Sequence, residues 1–324
     1  LFRTRLSENL FKGLSPWMQK LPGGLIHVNV VGCALFAAIS GSSAATVATV
    51  GKMSIPELRK RKYPEKILLG SLAGSGTLGL LIPPSIILII YGVAVQESIA
   101  KLFIAGIVPG IMIALIFMSY VIIWSLLNKK NMPKILENYS FLEKIKRSKQ
   151  LLPVILLIFA VIGSIYTGIA TATEAASLGV VGALILSYFQ KSLNLDTFKS
   201  SLLGATKTSC MIAFILAGST FLSLAMGFTG LPRNLAVWIQ SMDLSPYVLI
   251  FVLMIFYIIL GMFLDGISAV VLTMAIIEPM IRQAGFDMIW FGIFLVIVVE
   301  MAQITPPVGF NLFVLQGMAN KDMG

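Results

Sequence analysis

The sequence predicts an all-α polytopic membrane protein with an inverted-topology repeat, two re-entrant helical hairpins and two broken helices. Hydrophobic residues make up 57% of the 324 residues and charged residues only 12%, which is too few charges for a water-soluble surface. Apolar runs of about 20 residues or more recur along the chain. Two helix-breaking patterns also occur twice, in the same order and at similar spacing.

These repeated patterns interrupt apolar runs at corresponding places. In the first copy, Ser40-Gly41-Ser42-Ser43-Ala44 precedes Ile82-Pro83-Pro84-Ser85, and in the second, Asp265-Gly266-Ile267-Ser268-Ala269 precedes Thr305-Pro306-Pro307-Val308. In lipid, backbone freed by Gly, Ser or Pro is tolerated only where protein or water satisfies its polar groups. Duplicated breaks of this kind indicate the binding site of a transporter.

The basic segments fix the expected topology. The apolar runs cover residues 25–51, 67–95, 102–127, 151–168, 172–189, 202–228, 247–281 and 289–317. The positive-inside bias places the basic segments 1–24, 52–66 and 128–150 in the cytoplasm. A single crossing by 25–51 would separate the first two, so we expect a re-entrant hairpin that turns near Ser40. By the same charge argument, 247–281 is a hairpin that enters from the outside.

The repeat also defines the expected domain organisation. We expect a first half at 1–127 with a broken helix at 67–95, a cytoplasmic basic loop at 128–150, and a second half at 151–324 with a broken helix at 289–317. The second copy lacks a span equivalent to 102–127, and the segment before the first copy is short. We therefore expect a fragment that is truncated at both ends.

Several classes of function are disfavoured by what the apolar runs contain. The net charge of +10 lies in short loops, which indicates membrane topology and no nucleic-acid partner. A single histidine, His27, excludes an HExxH zinc site, and the phosphate-binding pattern Gly-x4-Gly-Lys-Ser/Thr is absent. A membrane enzyme would need a nucleophile, base or metal cluster at the breaks, where only hydroxyls, Asp265 and Glu300 occur. An ion channel would need no second solute. The sequence therefore predicts a secondary active transporter, which is not an enzyme.

The breaks supply the oxygen ligands that a hard cation such as sodium prefers. Unwound Gly, Ser and Pro segments expose carbonyl oxygens, and Ser and Thr add hydroxyls. The alternative is that these small residues only let helices approach closely. The candidate Na+ ligands are Ser40, Ser42, Gly79, Ile82 and Pro84 in the first half and Gly266, Ser268, Thr305, Pro306 and Gly309 in the second.

An anionic substrate would be held by hydroxyls and by the positive ends of half-helices. The candidate substrate-binding residues are Ser40, Ser43, Ser85 and Asp265. No arginine lies in the interior of an apolar run, so part of the neutralising charge must come from bound cations. Substrate and sodium binding are therefore expected to depend on one another, with two or more sodium sites.

Five segments together resemble the large membrane subunit of tripartite ATP-independent periplasmic (TRAP) transporters. They are residues 21–24 (LPGG), 36–46 (FAAISGSSAAT), 74–85 (GSGTLGLLIPPS), 166–176 (YTGIATATEAA) and 305–310 (TPPVGF). The resemblance implies a multi-pass protein of the bacterial inner membrane that takes up organic acids, of the C4-dicarboxylate or sialic acid type, with sodium. It implies two partners, a small membrane subunit that is separate or fused and a periplasmic substrate-binding protein.

The resemblance also implies an elevator, in which the hairpins and broken helices move against a scaffold. It supports one sodium site around Ser40, Ser42, Gly79, Ile82 and Pro84 and a second around Gly266 and Thr305. The alternative within transport is a stand-alone sodium/divalent-anion symporter, which has similar hairpins and needs no binding protein.

Overall fold

A computed structural model describes residues 6–133, 139–149, 151–230 and 245–319, together with 234, 237 and 241. Within this part of the chain the regular elements are all helical, as the composition predicts. The α-helices are α1 (Leu6–Met18), α2 (Ile26–Ser40), α3 (Ser43–Lys60), α4 (Glu65–Leu81), α5 (Ile86–Val95), α6 (Ile99–Leu127), α7 (Phe141–Ser148), α8 (Leu152–Tyr166), α9 (Ala172–Phe189), α10 (Leu195–Thr229), α11 (Pro246–Gly261), α12 (Gly266–Gln283), α13 (Met288–Ala302) and α14 (Phe310–Ala319).

Among the described residues, five segments are long and apolar enough to cross a membrane. They are Glu65–Val95, Ile99–Leu127, Ala172–Phe189, Leu195–Thr229 and Gly266–Gln283. The pair α7 and α8, bent by 56°, adds a sixth if it is counted as one span. The apolar helices α2, α11, α13 and α14 are shorter, with 10 to 17 residues. The protein is therefore a multi-span helical membrane protein.

The chain forms two compact units. The first comprises Leu1–Ser85, Gly106–Asn194 and Asn311–Gly324, and the second comprises Ile86–Ala105 and Leu195–Phe310. The predicted halves at 1–127 and 151–324 are a division of the sequence repeat, and they stay a prediction.

In the first unit, α2 and α3 form a helical hairpin that packs on α4. The contact between α2 and α4 is polar at its centre. The Asn29 side-chain amide donates to the Leu68 carbonyl at 3.2 Å and to the Ser71 hydroxyl at 3.0 Å. The Ser75 hydroxyl donates to the Asn29 carbonyl at 3.4 Å. Small residues on α4 permit this close approach, and hydrogen bonds between apolar helices then hold the pair together.

Charged residues close the base of this hairpin. Arg59 near the end of α3 forms an ion pair with Glu65 at the start of α4, and it donates to the Ala319 carbonyl of α14 at 3.1 Å. The loop residue Tyr63 accepts a hydrogen bond from the Leu25 backbone N–H at 3.0 Å. These contacts fix α2, α3, α4 and α14 at the same end of the hairpin.

In the second unit, α12 packs against α5, α10 and α13, and α11 packs against α13. Polar contacts again tie these apolar helices together. The Tyr91 hydroxyl donates to the Met288 carbonyl at 2.6 Å, and Tyr257 and Thr273 share a hydrogen bond of 2.6 Å. At the end of α12, Arg282 pairs with Glu278 at 2.9 Å and donates to the Val95 carbonyl at 3.0 Å.

The predicted breaks and turns lie close to where the helices end. The first hairpin turns at Gly41 and Ser42, and the run 67–95 is interrupted between α4 and α5. However, α3 continues past residue 51 to Lys60, because Arg59 and other charged side chains there are paired. The basic segments 1–24 and 128–150, which we interpreted as loops, contain the amphipathic helices α1 and α7.

Candidate functional site

The tip of the first hairpin is held by glycine and hydroxyl groups. Helix α2 ends at Ser40, and Gly41 adopts the left-handed conformation (φ +60°), with its N–H bonded to the Ala37 carbonyl at 3.1 Å. Ser42 is the N-cap of α3, where its hydroxyl accepts from the Ala45 N–H at 3.5 Å. A side chain at position 41 would be strained, since only glycine enters this region freely.

Three oxygen atoms cluster at this tip. The Ser40 and Thr46 hydroxyls lie 2.7 Å apart, and they lie 3.3 Å and 2.8 Å from the Ser42 carbonyl oxygen. Thr46 is fully buried, whereas Ser40 and Ser42 are half-buried. The spacing follows from the helix period, because Thr46 lies one turn after Ser42 and its hydroxyl reaches back to that carbonyl. The tip therefore gathers a compact triangle of uncharged oxygens.

Helix α4 approaches this triangle through Gly79. A Cβ atom at position 79 would lie 2.6 Å from the Ser42 carbonyl oxygen and 2.7 Å from the Thr46 hydroxyl. No side chain larger than hydrogen fits there without movement of the hairpin backbone. Gly79 lies three residues before Ile82, where α4 ends, so the hairpin tip and the end of α4 are brought together.

The first break follows directly after α4. The Ile82 N–H bonds to the Leu78 carbonyl at 2.9 Å, and the chain then passes through Pro83 and Pro84, which leave α4 carbonyls without helical donors. The buried Ser85 hydroxyl donates to one of these, the Leu80 carbonyl. The predicted substrate ligand Ser85 thus lies in the break, where its hydroxyl is bonded to the end of the preceding helix α4. Ser43, also a predicted substrate ligand, is buried as the first residue of α3.

The tip of the second hairpin has an acidic cap. Asp265 is the N-cap of α12, and one carboxylate oxygen accepts from the N–H groups of Ile267 and Ser268 at 3.1 Å and 3.2 Å. Its other oxygen accepts from the Ser268 hydroxyl. In the repeat, Asp265 corresponds to Ser40, yet the cap of the first hairpin is Ser42. The second helix therefore begins two residues earlier in the motif here, at Gly266.

The second break lies beside this tip. Gln303, buried at the end of α13, donates from its side-chain amide to the Leu264 carbonyl at 3.5 Å, one residue before Asp265. A Cβ atom at Gly261 would lie 2.6 Å from the Cβ atom of Ala302, so α11 and α13 are in close contact just before both turns. In the second unit, as in the first, a hairpin tip meets the end of an interrupted helix.

The remaining predicted ligands lie within the second break itself. The Thr305 hydroxyl donates to the Met301 carbonyl at 2.6 Å, one turn earlier. Pro306 is exposed, and the buried Gly309 has a φ of +53° before α14 begins. Backbone carbonyls in such an irregular segment are free of helical donors, as a cation site requires.

These oxygens are of the type that a hard cation takes as ligands. In the described ranges, no group of three or more His, Cys, Asp or Glu side chains is placed to hold a metal ion. Hydroxyl and carbonyl oxygens are the ligand type that alkali and alkaline-earth cations take. The hydroxyl oxygens of Ser40 and Thr46 and the carbonyl oxygen of Ser42 are ligands of this type. To bind a cation, the two hydroxyl groups would have to rotate so that their hydrogens point away from it.

Sequence reasoning missed two residues of this arrangement. Thr46 lies inside the segment 36–46 but was not among the candidate ligands, although its position four residues after Ser42 predicts the contact on a helix. Gln303 is two residues before Thr305, and its contact with Leu264 depends on packing that the local sequence does not indicate.

Comparison with known proteins identifies the family of the whole chain. The family described as "Tripartite ATP-independent periplasmic transporter, DctM component" matches residues 2–324. The C4-dicarboxylate TRAP transporter large permease protein DctM of Pseudomonas aeruginosa is 35% identical over 303 residues, which cover 93% of this chain and 70% of that protein. The sialic acid TRAP transporter large permease protein SiaM of Vibrio cholerae is 31% identical over 313 residues, covering 96% and 72%.

A third relative is a fused protein. The isethionate TRAP transporter permease protein DctMQ of Oleidesulfovibrio alaskensis is 33% identical over 319 residues, which cover 97% of this chain and 49% of that protein. The resemblance seen in five short segments thus extends over nearly the whole chain and is confirmed. A permease component of this kind is a transporter and not an enzyme. The chain belongs to the tripartite ATP-independent periplasmic transporter family, as a multi-pass large permease component of the bacterial inner membrane.

Proposed function

We propose that this permease carries out sodium-coupled secondary active uptake of small organic acid anions. The names of its relatives support this substrate class, because they include C4-dicarboxylate, sialic acid and isethionate transporters. Organic acids of the C4-dicarboxylate or sialic acid type are the substrates that we propose for this chain.

The observation that carries the sodium proposal is the oxygen triangle of Ser40, Ser42 and Thr46 opposite Gly79. We assign a first sodium site to this triangle together with the Gly79, Ile82 and Pro84 backbone. We assign a second site to the other tip and break, where the contact between Gln303 and Leu264 supports the pairing. Its ligands are Gly266, Ser268, Thr305, Pro306 and Gly309.

Bound cations would offset the charge of an anionic substrate held near the tips. The proposed substrate ligands are Ser40, Ser43, Ser85 and Asp265, none of which is basic. Each net positive charge that moves inward with the substrate gains about 2.3 kcal/mol per 100 mV of membrane potential. Sodium coupling therefore supplies both the missing positive charge and the driving force.

The partners follow from the tripartite family. We propose that the chain works with a small membrane subunit and with a periplasmic binding protein that delivers the substrate. The fused DctMQ relative supports a close association of the two membrane subunits. Transport itself would be an elevator movement of the hairpins and interrupted helices against a scaffold.

Uptake into proteoliposomes tests the proposal. The complete membrane complex is reconstituted, and uptake of radiolabelled succinate and sialic acid is measured with the sodium gradient and the cognate binding protein each supplied or withheld. We expect uptake only when both are present. Uptake without the binding protein would instead support the stand-alone symporter, and uptake with potassium in place of sodium would contradict the coupling.

A further inference from the structure

A cavity of about 550 Å³ lies in the first unit between α1, α3 and α7. Its size falls in the range of small-molecule sites. Five charged side chains contribute to its wall: Lys12, Glu57, Arg61, Glu143 and Arg147. Three are basic and two acidic, so the wall carries an excess of positive charge. The cavity is separate from the hairpin tip and from the break at Pro83 and Pro84, since none of those residues lines it.

Each of the two glutamates in the cavity wall already accepts a hydrogen bond from a residue of its own helix or helix cap. Glu57 accepts from the Arg61 guanidinium at 2.8 Å, one turn along α3. Glu143 accepts from the Ser140 backbone N–H at 2.8 Å in the capping box of α7. Arg147 donates to the Tyr139 hydroxyl at 3.0 Å, and its guanidinium carbon lies 4.2 Å from the centre of that ring. A guanidinium has five N–H donors, so this contact leaves capacity for an anion.

The edge of the cavity is apolar and exposed. Phe141 and Leu142 of α7 are 67% and 80% exposed, and Trp17 of α1 is 39% exposed. Trp17 packs edge-on against Phe141 at 6.2 Å, and its indole N–H donates to the Ser148 hydroxyl at 2.8 Å. Exposed large apolar side chains beside lysines on a short amphipathic helix are typical of a membrane interface. Tryptophan is also enriched at that depth.

The positive charge around the cavity extends along α7. Lys144 lies 5.2 Å from the centre of the Trp17 ring, Lys146 follows on the same helix, and Lys149 is its C-cap. The three segments that form the cavity are those that the charge bias places in the cytoplasm. Basic clusters at this level bind the anionic lipids of the adjacent leaflet.

We propose that this cavity binds the phosphate headgroup of an anionic phospholipid from the cytoplasmic leaflet. Lys12 and Arg147 contact the phosphate, and the acyl chains lie against Trp17, Phe141 and Leu142. The lipid thereby holds α1 and α7 at the membrane surface. This assignment depends on the cytoplasmic position of residues 128–150, and it does not depend on sodium coupling or on the substrate.

Lipid retention by the purified membrane complex tests the proposal. The complex is delipidated and offered phosphatidylglycerol, phosphatidylcholine or inorganic phosphate, and bound molecules are counted by native mass spectrometry. The wild-type complex should retain phosphatidylglycerol in preference to phosphatidylcholine. We expect the double variant Lys12→Gln/Arg147→Gln to lose this retention at least about tenfold, which is about 1.4 kcal/mol. Lys146→Gln, which removes one charge from α7 outside the cavity wall, should retain the lipid.

Four results would overturn the proposal. Unchanged retention in the double variant would exclude the cavity, and an equal loss in Lys146→Gln would show only a general charge effect. Displacement of the lipid by inorganic phosphate, with no preference for phosphatidylglycerol, would indicate a site for free phosphate. The variant Arg147→Lys keeps the charge and guards against a folding defect. Because lysine keeps the charge but loses the guanidinium that stacks on Tyr139, it should retain more lipid than Arg147→Gln, and an equal loss in these two variants would contradict a charge contact.

Discussion

Gly79 of α4 lies against the Ser42 carbonyl oxygen of the first hairpin tip, so close that a Cβ atom at position 79 would be 2.6 Å from it. This contact joins a helix that ends in a Pro-Pro break to a tip built from serines and a left-handed glycine. Since the Ser42 carbonyl also belongs to the oxygen triangle, the position of α4 and the geometry of the proposed sodium site are coupled.

Replacing Gly79 with alanine should weaken sodium activation of uptake. The added methyl group displaces the Ser42 carbonyl or the Thr46 hydroxyl, both within 2.7 Å of it. We expect the sodium concentration for half-maximal uptake to rise at least about tenfold, or about 1.4 kcal/mol. The matched control is Gly70→Ala on the same helix, where nothing lies within 4 Å. An equal sodium concentration for half-maximal uptake in the two variants would contradict a sodium site beside Gly79.

Thr46 should matter through its hydroxyl group. Thr46→Val keeps the shape but removes the contacts with Ser40 at 2.7 Å and with the Ser42 carbonyl at 2.8 Å. We expect a several-fold loss of sodium affinity, whereas Thr46→Ser should retain most of it. Thr49→Val on the same helix serves as the isosteric control. Sodium titration of uptake is the measurement, and a normal Thr46→Val protein would remove Thr46 from the site.

Asp265 has a capping role and a proposed ligand role, which different substitutions separate. Asp265→Ala removes the acceptor for Ile267 and Ser268 and should destabilise α12 by about 1 kcal/mol. Asp265→Ser keeps a capping hydroxyl but removes the charge. If the carboxylate serves transport, both variants lose uptake at normal membrane levels. If only the cap matters, Asp265→Ser is active. Glu278→Ala, which breaks an exposed pair with Arg282, should impair uptake less than Asp265→Ala.

The Gln303 side chain should link the second hairpin tip to the second break. Gln303→Leu has nearly the same volume but loses the bond to the Leu264 carbonyl, which is 3.5 Å away. We expect reduced uptake and faster proteolysis at the tip, because Leu264 then loses its donor. The exposed Gln283→Leu on α12 is the control for an amide-to-leucine change. Limited proteolysis and uptake are measured for both glutamine variants. Wild-type behaviour of Gln303→Leu in both assays would contradict a role of Gln303 in linking the second tip to the second break.

The re-entrant first hairpin predicts the sidedness of three engineered cysteines. In a Cys210→Ser background, since Cys33 is buried and Cys210 exposed, cysteines are placed at Lys60, Lys130 and Ser98. An impermeant thiol reagent applied from outside should label only the Ser98 variant. Lys60 and Lys130 should react only after the membrane is opened. Labelling of Lys60 from outside would show that residues 25–51 cross the membrane once.

Sequence reasoning located the interruptions well because they arise from local chemistry. Gly41 enters the left-handed conformation freely and the Pro-Pro pair at 83–84 lacks backbone donors, and the structure ends α2 and α4 next to them. The amphipathic helices α1 and α7 were missed because their basic residues led us to interpret these segments as loops. Their signals were present, namely the capping box from Ser140 to Glu143 and the apolar spacing Leu10, Phe11 and Leu14.

What the sequence did not reveal depends on distant contacts. Each of three contacts joins residues that are far apart in the sequence or that are oriented by packing. They are the Asn29 hydrogen bonds between α2 and α4, the ion pair of Arg59 near the end of α3, and the bond between Gln303 and Leu264. Asp265 was matched to Ser40 by the motif alone. The structure shows that it also caps α12, because its carboxylate faces the first N–H groups of that helix.

Sodium coupling is tested most directly when sodium and substrate are counted together. Radiolabelled sodium and radiolabelled substrate influx are measured in the same proteoliposomes, with the complete complex and its binding protein, for wild type, Gly79→Ala and Gly70→Ala. We expect sodium influx in a fixed ratio to substrate influx in wild type and Gly70→Ala, and loss of this coupled flux in Gly79→Ala. Substrate uptake by the wild-type protein without accompanying sodium influx would contradict sodium coupling.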